Sequence, residues 1–284
     1  MPVSPRKYVG IDFSGSQAKW NPNVHASNIW IAEVDERAAS RTLTKLYRVQ
    51  ELPGQGRPFA RIAAWLSNGK FSAAAIDAPF SIPWWFFGQE FGDHSELLAV
   101  VNNLPLTGAQ DFPSGADFAA SIRASIPFAF SKPLRVTESY WRGRRVEVRS
   151  TVWAGEGRPG APFASACIKL LATVDRQAWP WSAQEISPLV EAFPAAQLRH
   201  WGLPSSQYNR PVGQANRTAI VSALKTKWGL QVNDSFTATM HANADALDAV
   251  LCCYAARAVV QHQLGVGLPP FDVWRLEGWI AIHK

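Results

Sequence analysis

The sequence predicts an α/β protein in which a mixed sheet of five strands is flanked by helices. Two short and predominantly apolar runs, residues 7–13 and 71–77, are each followed by turn-forming residues, as β-strands commonly are. Three longer segments, residues 161–178, 214–228 and 243–264, carry apolar residues at helical spacing. Such a mixture of strand and helix patterns is typical of a sheet that helices cover.

The first three strands are expected to form an antiparallel meander. Residues 7–13 are the first strand, and a Ser-Gly turn after it leaves Asp12 at its C-terminal end. The alternating segments 28–34 and 42–49 predict the second and third strands, joined by a polar turn at residues 35–41.

A helix and a fourth strand follow the meander. Residues 58–67 have helical apolar spacing and begin with a proline, which suits the first turn of a helix. The next apolar run ends at Asp77, because Pro79 has no N–H to donate to a neighbouring strand. The predicted order is therefore strand, strand, strand, helix, strand.

The rest of the chain adds an insertion and a fifth strand to the same domain, which spans residues 1–284. Residues 82–160 are predicted to be an insertion or lid with a basic arm, placed between the fourth and fifth strands. Residues 189–193 predict the fifth strand, which Pro194 closes, and residues 279–282 are a candidate final strand.

Composition favours a soluble protein of the cytoplasm, and an oligomeric state cannot be read from it. No apolar run reaches the roughly 20 residues that a membrane-spanning helix needs, and the first residues lack a secretory core segment. The three cysteines, Cys167, Cys252 and Cys253, have neither metal-site nor disulfide spacing. The net charge of +6 favours anionic partners.

Four aspartates are the candidate ligands of a metal ion. Asp12 and Asp77 end two predicted strands, and Asp245 and Asp248 lie among core-forming residues of the last long helix. His241 precedes them, and the spacing i, i+4, i+7 places His241, Asp245 and Asp248 on one helix face. Carboxylates from separate elements are the ligands that one or two Mg²⁺ or Mn²⁺ ions need.

Glu191 and His241 are further candidates for catalysis. Glu191 lies beside a strand-terminating proline at the same sheet edge, and His241 could steer a proton or a water molecule. Structural alternatives remain open: Glu191 as a surface strand residue, and His241 as a helix-start residue bonded to the backbone. Asp245 and Asp248 could likewise serve a helix N-terminus, where the dipole favours negative charge and Asn243 or Asp245 could cap.

Residues 132–149 are the most basic segment and a candidate arm for binding the backbone of DNA or RNA. An aromatic residue in the segment could stack on a base. A solvated hairpin is the alternative. The candidate nucleic-acid contacts are Lys132, Arg135, Trp141, Arg142, Arg144, Arg145 and Arg149.

Short motifs spread over most of the chain resemble a known family. They are Gly10-Ile11-Asp12, Ala75-Ile76-Asp77-Ala78-Pro79, Arg135-Val136-Thr137-Glu138, Glu191-Ala192-Phe193-Pro194, Asp245-Ala246-Leu247-Asp248-Ala249 and Glu277-Gly278-Trp279-Ile280. Their order is similar to that of the predicted nucleases called domain of unknown function 429. The element order also resembles the ribonuclease H-like fold, and most of all its Holliday-junction resolvase branch.

The resemblance implies a ribonuclease H-like sheet flanked by helices, with a metal-dependent phosphodiesterase site. On this sequence that site falls at Asp12, Asp77, Asp245 and Asp248. Relatives tend to have a Tyr-Lys pair where this chain has Tyr208-Asn209.

A metal-dependent nuclease is the leading functional hypothesis, and two alternatives remain. An actin-like phosphotransferase also begins with a strand, an Asp and a Ser/Gly turn, but it needs a second phosphate loop, and Pro79 has no N–H to offer there. A catalytically inactive nucleic-acid-binding module would keep the fold and the basic arm without the metal.

Overall fold

The computed structural model describes residues 6–23, 28–38, 40–87, 91–123, 132–182, 186–269 and 272–284. Two stretches of the predicted insertion, residues 88–90 and 124–131, lie outside the described residues. No helix within the described ranges combines the length and the apolar composition of a membrane-spanning helix.

One mixed sheet forms the centre of the molecule. Its strands are β1 (Arg6–Asp12), β2 (Trp30–Arg37), β3 (Ser40–Arg48), β4 (Ala73–Asp77), β5 (Ala178–Trp179), β6 (Leu189–Glu191) and β7 (Leu230–Gln231). β1, β2 and β3 are antiparallel neighbours, whereas β4 runs parallel to β1 and β6 runs parallel to β4. The order across the sheet is β5-β6-β4-β1-β2-β3-β7. The predicted meander and the parallel strands after it are confirmed.

The sheet has seven strands in the described part of the chain, so the prediction of five was wrong. The additional strands β5 and β7 are two-residue pairings at the sheet edges, too short to produce an alternating pattern in the sequence. Residues 279–282 do not form the expected final strand. They are joined to β6 by a hydrogen bond of 3.0 Å from the Ala281 N–H to the Glu191 carbonyl.

Helices cover both faces of this sheet. In the described residues they are α1 (Pro58–Asn68), α2 (His94–Asn103), α3 (Gly115–Arg123), α4 (Val136–Gly143), α5 (Ala161–Thr173), α6 (Pro194–His200), α7 (Gln214–Thr226), α8 (Asp234–Ala242), α9 (Ala244–Val260) and α10 (Trp274–Glu277). Tyr8 of β1 packs into the core shared with α7 and α9, whereas Val9 and Ile11 pack into the core shared with α1 and α5. The two-residue period of the strand thus sends apolar side chains to both faces, and the fold is a three-layer α/β/α sandwich.

Close packing of α9 on β1 depends on a glycine. A Cβ atom on Gly10 would lie 1.9 Å from the carbonyl oxygen of Ala249 and 2.7 Å from the nitrogen of Cys253. Farther along α9, the Cys253 thiol contacts the Tyr8 carbonyl. The helix therefore runs in the opposite direction to β1, and its first turns reach the C-terminal end of that strand.

The insertion packs against the rest of the molecule through α5. Helices α2 and α3 both contact α5, and Ile82, Phe118 and Ile168 lie in one buried apolar cluster. Part of the basic segment forms α4, so the alternative of a solvated hairpin is wrong.

Candidate metal centre

Asp12 and Asp77 lie side by side at the ends of two parallel strands. The register of β1 and β4 pairs Asp12 with Asp77, and each is the last residue of its strand. The two strands therefore deliver their carboxylates to one edge of the sheet, as the sequence predicted.

Asp248 reaches the same edge from α9. The helix begins after Asn243, whose side chain accepts hydrogen bonds from the N–H groups of Asp245 and Ala246 at 2.9 and 3.1 Å. Asn243 is thus the helix cap, and Asp248, one turn further on, is not needed for capping. The helix N-terminus alone does not explain a buried carboxylate at that position.

Asp12, Asp77 and Asp248 form one compact group, which we call the carboxylate triad. One oxygen from each side chain lies within 4.8 Å of the others. Asp12 and Asp248 are buried and Asp77 is half-buried. The predicted convergence of these three residues is confirmed, at a separation that one or two shared cations can bridge.

Mutual repulsion and burial act on two members of the triad. Burial raises the pKa of Asp12 well above its ordinary value, and the charges of Asp245, Asp248 and Asp77 raise it further. Burial and the Asp77 charge likewise raise the pKa of Asp248, while a hydrogen bond from Tyr208 opposes the shift. The ionised triad is therefore unfavourable without a compensating positive charge.

The third member, Asp77, faces one protein cation. Burial raises the pKa of Asp77 to about 7; the charge of Arg149 opposes this shift, and those of Glu191 and Asp245 add to it. Arg149 is exposed, and its guanidinium lies over the Phe163 ring at 5.1 Å. An exposed arginine thus partly offsets the negative charge at Asp77.

The donor set of the triad fits a hard divalent cation. None of the ion pairs between described residues includes Asp12, Asp77 or Asp248. Three carboxylates of separate elements offer only oxygen ligands, which Mg²⁺ and Mn²⁺ prefer. Such an ion would supply the positive charge that the triad lacks.

Asp245 lies beside the triad rather than in it. Its side chain is half-buried, and burial raises its pKa while the charge of Lys19 opposes the shift. Its charge also raises the pKa values of Asp12, Asp77 and Asp248. Three of the four predicted ligands therefore converge, and the fourth stands close enough to add to the negative field.

Tyr208 belongs to the site, although the sequence patterns did not single it out as functional. Its hydroxyl donates a hydrogen bond of 2.8 Å to Oδ1 of Asp248, and the ring is buried. The carbonyl oxygen of Tyr208 in turn accepts a hydrogen bond from the Arg217 guanidinium. The sequence signal for this tyrosine was the Tyr208-Asn209 pair. The feature noted there was the lysine that relatives tend to have, and not the tyrosine.

The structure separates His241 from the two helical aspartates. His241 lies near the end of α8, and the chain turns at Asn243, with φ of −131°, before α9 begins. The prediction that His241, Asp245 and Asp248 share one helix face is therefore wrong. The carbonyl oxygen of His241 accepts a hydrogen bond of 2.7 Å from Arg217, and its ring is not part of the triad.

Glu191 ends β6 near the triad, but its oxygens are engaged elsewhere. Both oxygens accept hydrogen bonds from the guanidinium of Arg135, and Oε2 also accepts one of 3.0 Å from the Phe80 N–H. The carboxylate is 2% exposed, so the surface alternative is wrong as well. Glu191 is a buried ion-pair residue beside the site, which corrects its prediction as a member of the acidic cluster.

The basic segment divides into buried and exposed residues. Arg135 and Trp141 are each 1% exposed, so the expectation that they contact nucleic acid is wrong. Arg135 is drawn inside by its carboxylate partners, and Trp141 packs with Val146 and Ile280 in an apolar cluster. The exposed members are Lys132, Arg142, Arg144, Arg145 and Arg149.

Comparison with known proteins gives one match. The model of a family described as "Protein of unknown function (DUF429)" matches residues 10–270, which include the triad, Tyr208 and the basic segment. No curated protein and no solved structure matches the chain. Because the family model covers most of the sequence, the chain belongs to the DUF429 family.

Proposed function

We propose that this protein is a Mg²⁺- or Mn²⁺-dependent phosphodiesterase that cleaves nucleic acid. The observation that carries the proposal is the convergence of Asp12, Asp77 and Asp248 within 4.8 Å at one sheet edge. Buried like charges are costly, and a fold that gathers three of them needs a cation to offset that cost. Divalent ions that carboxylates hold in this way are common agents of phosphodiester hydrolysis.

The proposal gives each residue of the site a separate task. Asp12, Asp77 and Asp248 would hold the metal, with Asp245 available as a ligand to a second ion or to its water shell. Bound there, the metal supplies an activated water and neutralises charge on the phosphate oxygens. Tyr208 orients the Asp248 carboxylate through its hydrogen bond.

Two cations act on the acidic residues and could contact a phosphate chain. The charge of Arg149 acts on Asp77, and that of Lys19 acts on Asp245. Further exposed arginines, Arg142, Arg144 and Arg145, lie at the end of α4 and in the turn after it. A polyanion is the substrate class that such a surface favours.

The topology supports the same proposal. A ribonuclease H-like fold is expected to have three antiparallel strands followed by parallel ones, and β1, β2, β3, β4 and β6 have that arrangement. Its acidic residues are expected at the first and fourth strand ends and on a C-terminal helix, where the triad lies. A reducing cytoplasm is also part of the proposal, since Cys167, Cys252 and Cys253 are free and buried.

The turn after Asp77 argues against the actin-like phosphotransferase. That activity needs backbone N–H groups to bind a phosphate after the second strand Asp. Here Pro79 has none, and the Phe80 N–H is bonded to Glu191.

Metal binding and cleavage, measured together, test the proposal. Mn²⁺ should bind the purified protein with an affinity that Asp12→Asn, Asp77→Asn and Asp248→Asn each reduce strongly. Mn²⁺ should also activate cleavage of at least one of four labelled substrates: single-stranded DNA, duplex DNA, RNA and a four-way junction. Metal binding without cleavage of any of these or of a nucleoside cyclic phosphate would contradict a phosphodiesterase. Nucleic-acid binding without metal binding would indicate the inactive binding module.

A further inference from the structure

Two buried side chains hold the turn after Asp77. They bond to the backbone N–H and carbonyl groups of one residue, Phe80. Phe80, three residues beyond Asp77, donates its N–H to Glu191 at 3.0 Å. Its carbonyl oxygen accepts a hydrogen bond of 2.8 Å from Nε2 of His94. Both backbone groups of this residue are thus fixed by side chains from other elements, Glu191 at the end of β6 and His94 in the first turn of α2.

Glu191 is itself fixed by Arg135. The guanidinium binds both carboxylate oxygens of Glu191, and its Nε donates to Glu138 at 3.0 Å. Its Nη1 also donates to the carbonyl oxygen of Glu277 at 3.0 Å. Paired and planar contacts of this kind restrict the rotation of a carboxylate more than a single hydrogen bond does.

His94 is fixed by stacking. Its ring lies parallel to that of Trp181, with 3.6 Å between the ring centroids and 10° between the planes. Burial lowers the pKa of His94 to about 4, so the ring is neutral near pH 7 and donates from Nε2 to Phe80. The stacked, neutral ring thus holds an Nε2–H donor at the Phe80 carbonyl.

The position of Asp77 needs such support. Asp77 is the half-buried member of the triad, and the negative charges of Glu191 and Asp245 act unfavourably on its ionised form. Metal ligands must be held within about half an ångström to bind well. A turn clamped three residues later restricts how far the end of β4 can move.

We propose that Arg135, Glu191 and His94 are positioning residues, which clamp the backbone of Phe80 and thereby hold the Asp77 carboxylate in place for the metal. The inference rests on the proposed function, because it assumes that the triad binds a cation. It also gives a role to the burial of Arg135, an arginine of the basic segment whose partner Glu191 lies 56 residues away in sequence.

The test compares two His94 variants by their Mn²⁺ dissociation constants, measured by calorimetry well below the melting temperature of each protein. His94→Leu removes the donor to Phe80 and should weaken Mn²⁺ binding about 10- to 100-fold, the range seen for residues that orient metal ligands. His94→Gln keeps a side-chain N–H donor and should recover most of that loss. Glu191→Gln should weaken binding in the same direction as His94→Leu, because it breaks the ionic contact with Arg135.

Gln197 supplies a matched control. Its buried side chain also clamps both backbone groups of one residue, accepting from the His283 N–H at 2.8 Å and donating to the His283 carbonyl at 3.0 Å. His283 contacts Arg257, which lies about two and a half turns beyond Asp248 on α9. Gln197→Leu should therefore lower the melting temperature and leave Mn²⁺ affinity unchanged.

The outcomes distinguish this inference from the function on which it rests. Wild-type binding that Asp77→Asn abolishes and His94→Leu leaves unchanged would overturn the clamp alone. An equal loss in His94→Leu and Gln197→Leu would also overturn it, since the effect would then follow from general destabilisation. Absence of Mn²⁺ binding by the wild-type protein would overturn the proposed function and the clamp together. The comparison of His94→Leu with His94→Gln decides the question, so the test does not depend on whether Glu191→Gln folds.

Discussion

At the residue scale, the triad carries buried negative charge that the side chains around it offset only in part. Asp12 and Asp248 have pKa values well above the ordinary value because their ionised forms are buried beside other carboxylates. Tyr208 offers one hydrogen bond to Asp248, and Arg149 offers a positive charge to Asp77. Removing a negative charge and adding a divalent cation should therefore have similar effects on stability.

Asp248→Asn should stabilise the metal-free protein. The substitution removes one repelling charge and leaves an amide oxygen to accept the Tyr208 hydrogen bond. In a chelator, the free energy of unfolding should rise, because the amide carries no charge to be buried or repelled. The stabilisation by Mg²⁺, about 2.7 kcal/mol at a hundredfold excess over the dissociation constant, should disappear.

Melting curves in chelator and in excess Mg²⁺ measure both effects. Asp175→Asn is the control, because Asp175 is exposed and precedes β5, a strand parallel to β6. It therefore lies near the N-terminal ends of the parallel strands, whereas the triad lies at their C-terminal ends. A variant at position 248 that melts lower in chelator and keeps the wild-type response to Mg²⁺ would exclude Asp248 from the metal site.

Tyr208→Phe should weaken metal binding while keeping the buried ring. The variant lacks only the hydroxyl that donates to Asp248, so the carboxylate loses its fixed orientation. We expect about a 10-fold rise in the Mn²⁺ dissociation constant. Tyr47→Phe is the matched control, since Tyr47 also donates to a carboxylate, that of Glu33, at 3.1 Å. Equal affinities in the two variants would show that Tyr208 has no role in the site.

Metal affinity should depend on pH through the triad. A carboxylate whose pKa is raised in the folded protein holds its proton to a higher pH than in the unfolded chain, so ionisation lowers stability as the pH rises. For Asp77, with a pKa of about 7, that window extends from its ordinary value to about pH 7. In chelator, the melting temperature of the wild-type protein relative to that of Asp77→Asn should therefore fall between about pH 5 and pH 7.

Protons and metal compete for the same oxygens, so Mn²⁺ affinity should change in the opposite sense and rise over that pH range. Asp77→Asn should flatten the stability curve only in part, because burial raises the pKa of Glu277 to about 7 as well. A wild-type Mn²⁺ affinity that is constant from about pH 5 to pH 8 would contradict the raised pKa values at this site.

At the element scale, strand ends were predictable from sequence and helix boundaries were less so. Asp12 and Asp77 could be placed because an apolar run, a turn and Pro79 mark the end of each strand locally. The division of α8 from α9 depends on the extended conformation of Asn243, which the apolar spacing around it does not reveal. His241 was misplaced for that reason.

The burial of Arg135 could not be read from its neighbours in sequence. Six of the charges in residues 132–149 are basic residues typical of a solvated surface. The partners that draw Arg135 inside, Glu191 and Glu277, are 56 and 142 residues away. Only the folded arrangement of α4, β6 and α10 brings them together.

The exposed arginines at the end of α4 should contribute to nucleic-acid binding as phosphate contacts. Replacing Arg142, Arg144 and Arg145 together by Ala should weaken binding to duplex DNA and reduce the slope of log affinity against log salt by about 0.9 for each lost contact. The effect should be similar for different sequences, because phosphates carry no base information.

A triple variant at other exposed cations controls for net charge. Lys70, Arg199 and Lys227 lie on separate surface elements, and their replacement by Ala removes the same charge without touching α4. An unchanged salt slope in the α4 variant, or equal slopes in both variants, would exclude α4 as the nucleic-acid contact.

At the scale of the whole molecule, the sheet explains why distant motifs meet. The parallel strands β1, β4 and β6 end at one edge, and α9 runs back across β1 to reach it because Gly10 permits close contact. The insertion packs against α5, which also lines the central core, and its basic segment includes Arg149, whose charge acts on Asp77. The short motifs of this sequence are thus parts of one acidic site and of the residues packed beside it.

Anomalous diffraction from a crystal soaked in Mn²⁺ tests the central claim most directly. The claim predicts a strong anomalous peak within about 2.0–2.6 Å of oxygens from Asp12, Asp77 and Asp248, the range of carboxylate-to-cation distances. A second peak about 4 Å away, near Asp245, would indicate a two-metal site. The absence of a peak at the triad, in a crystal of wild-type protein at a pH above about 7 with Mn²⁺ in large excess, would contradict the claim that these carboxylates form a metal centre.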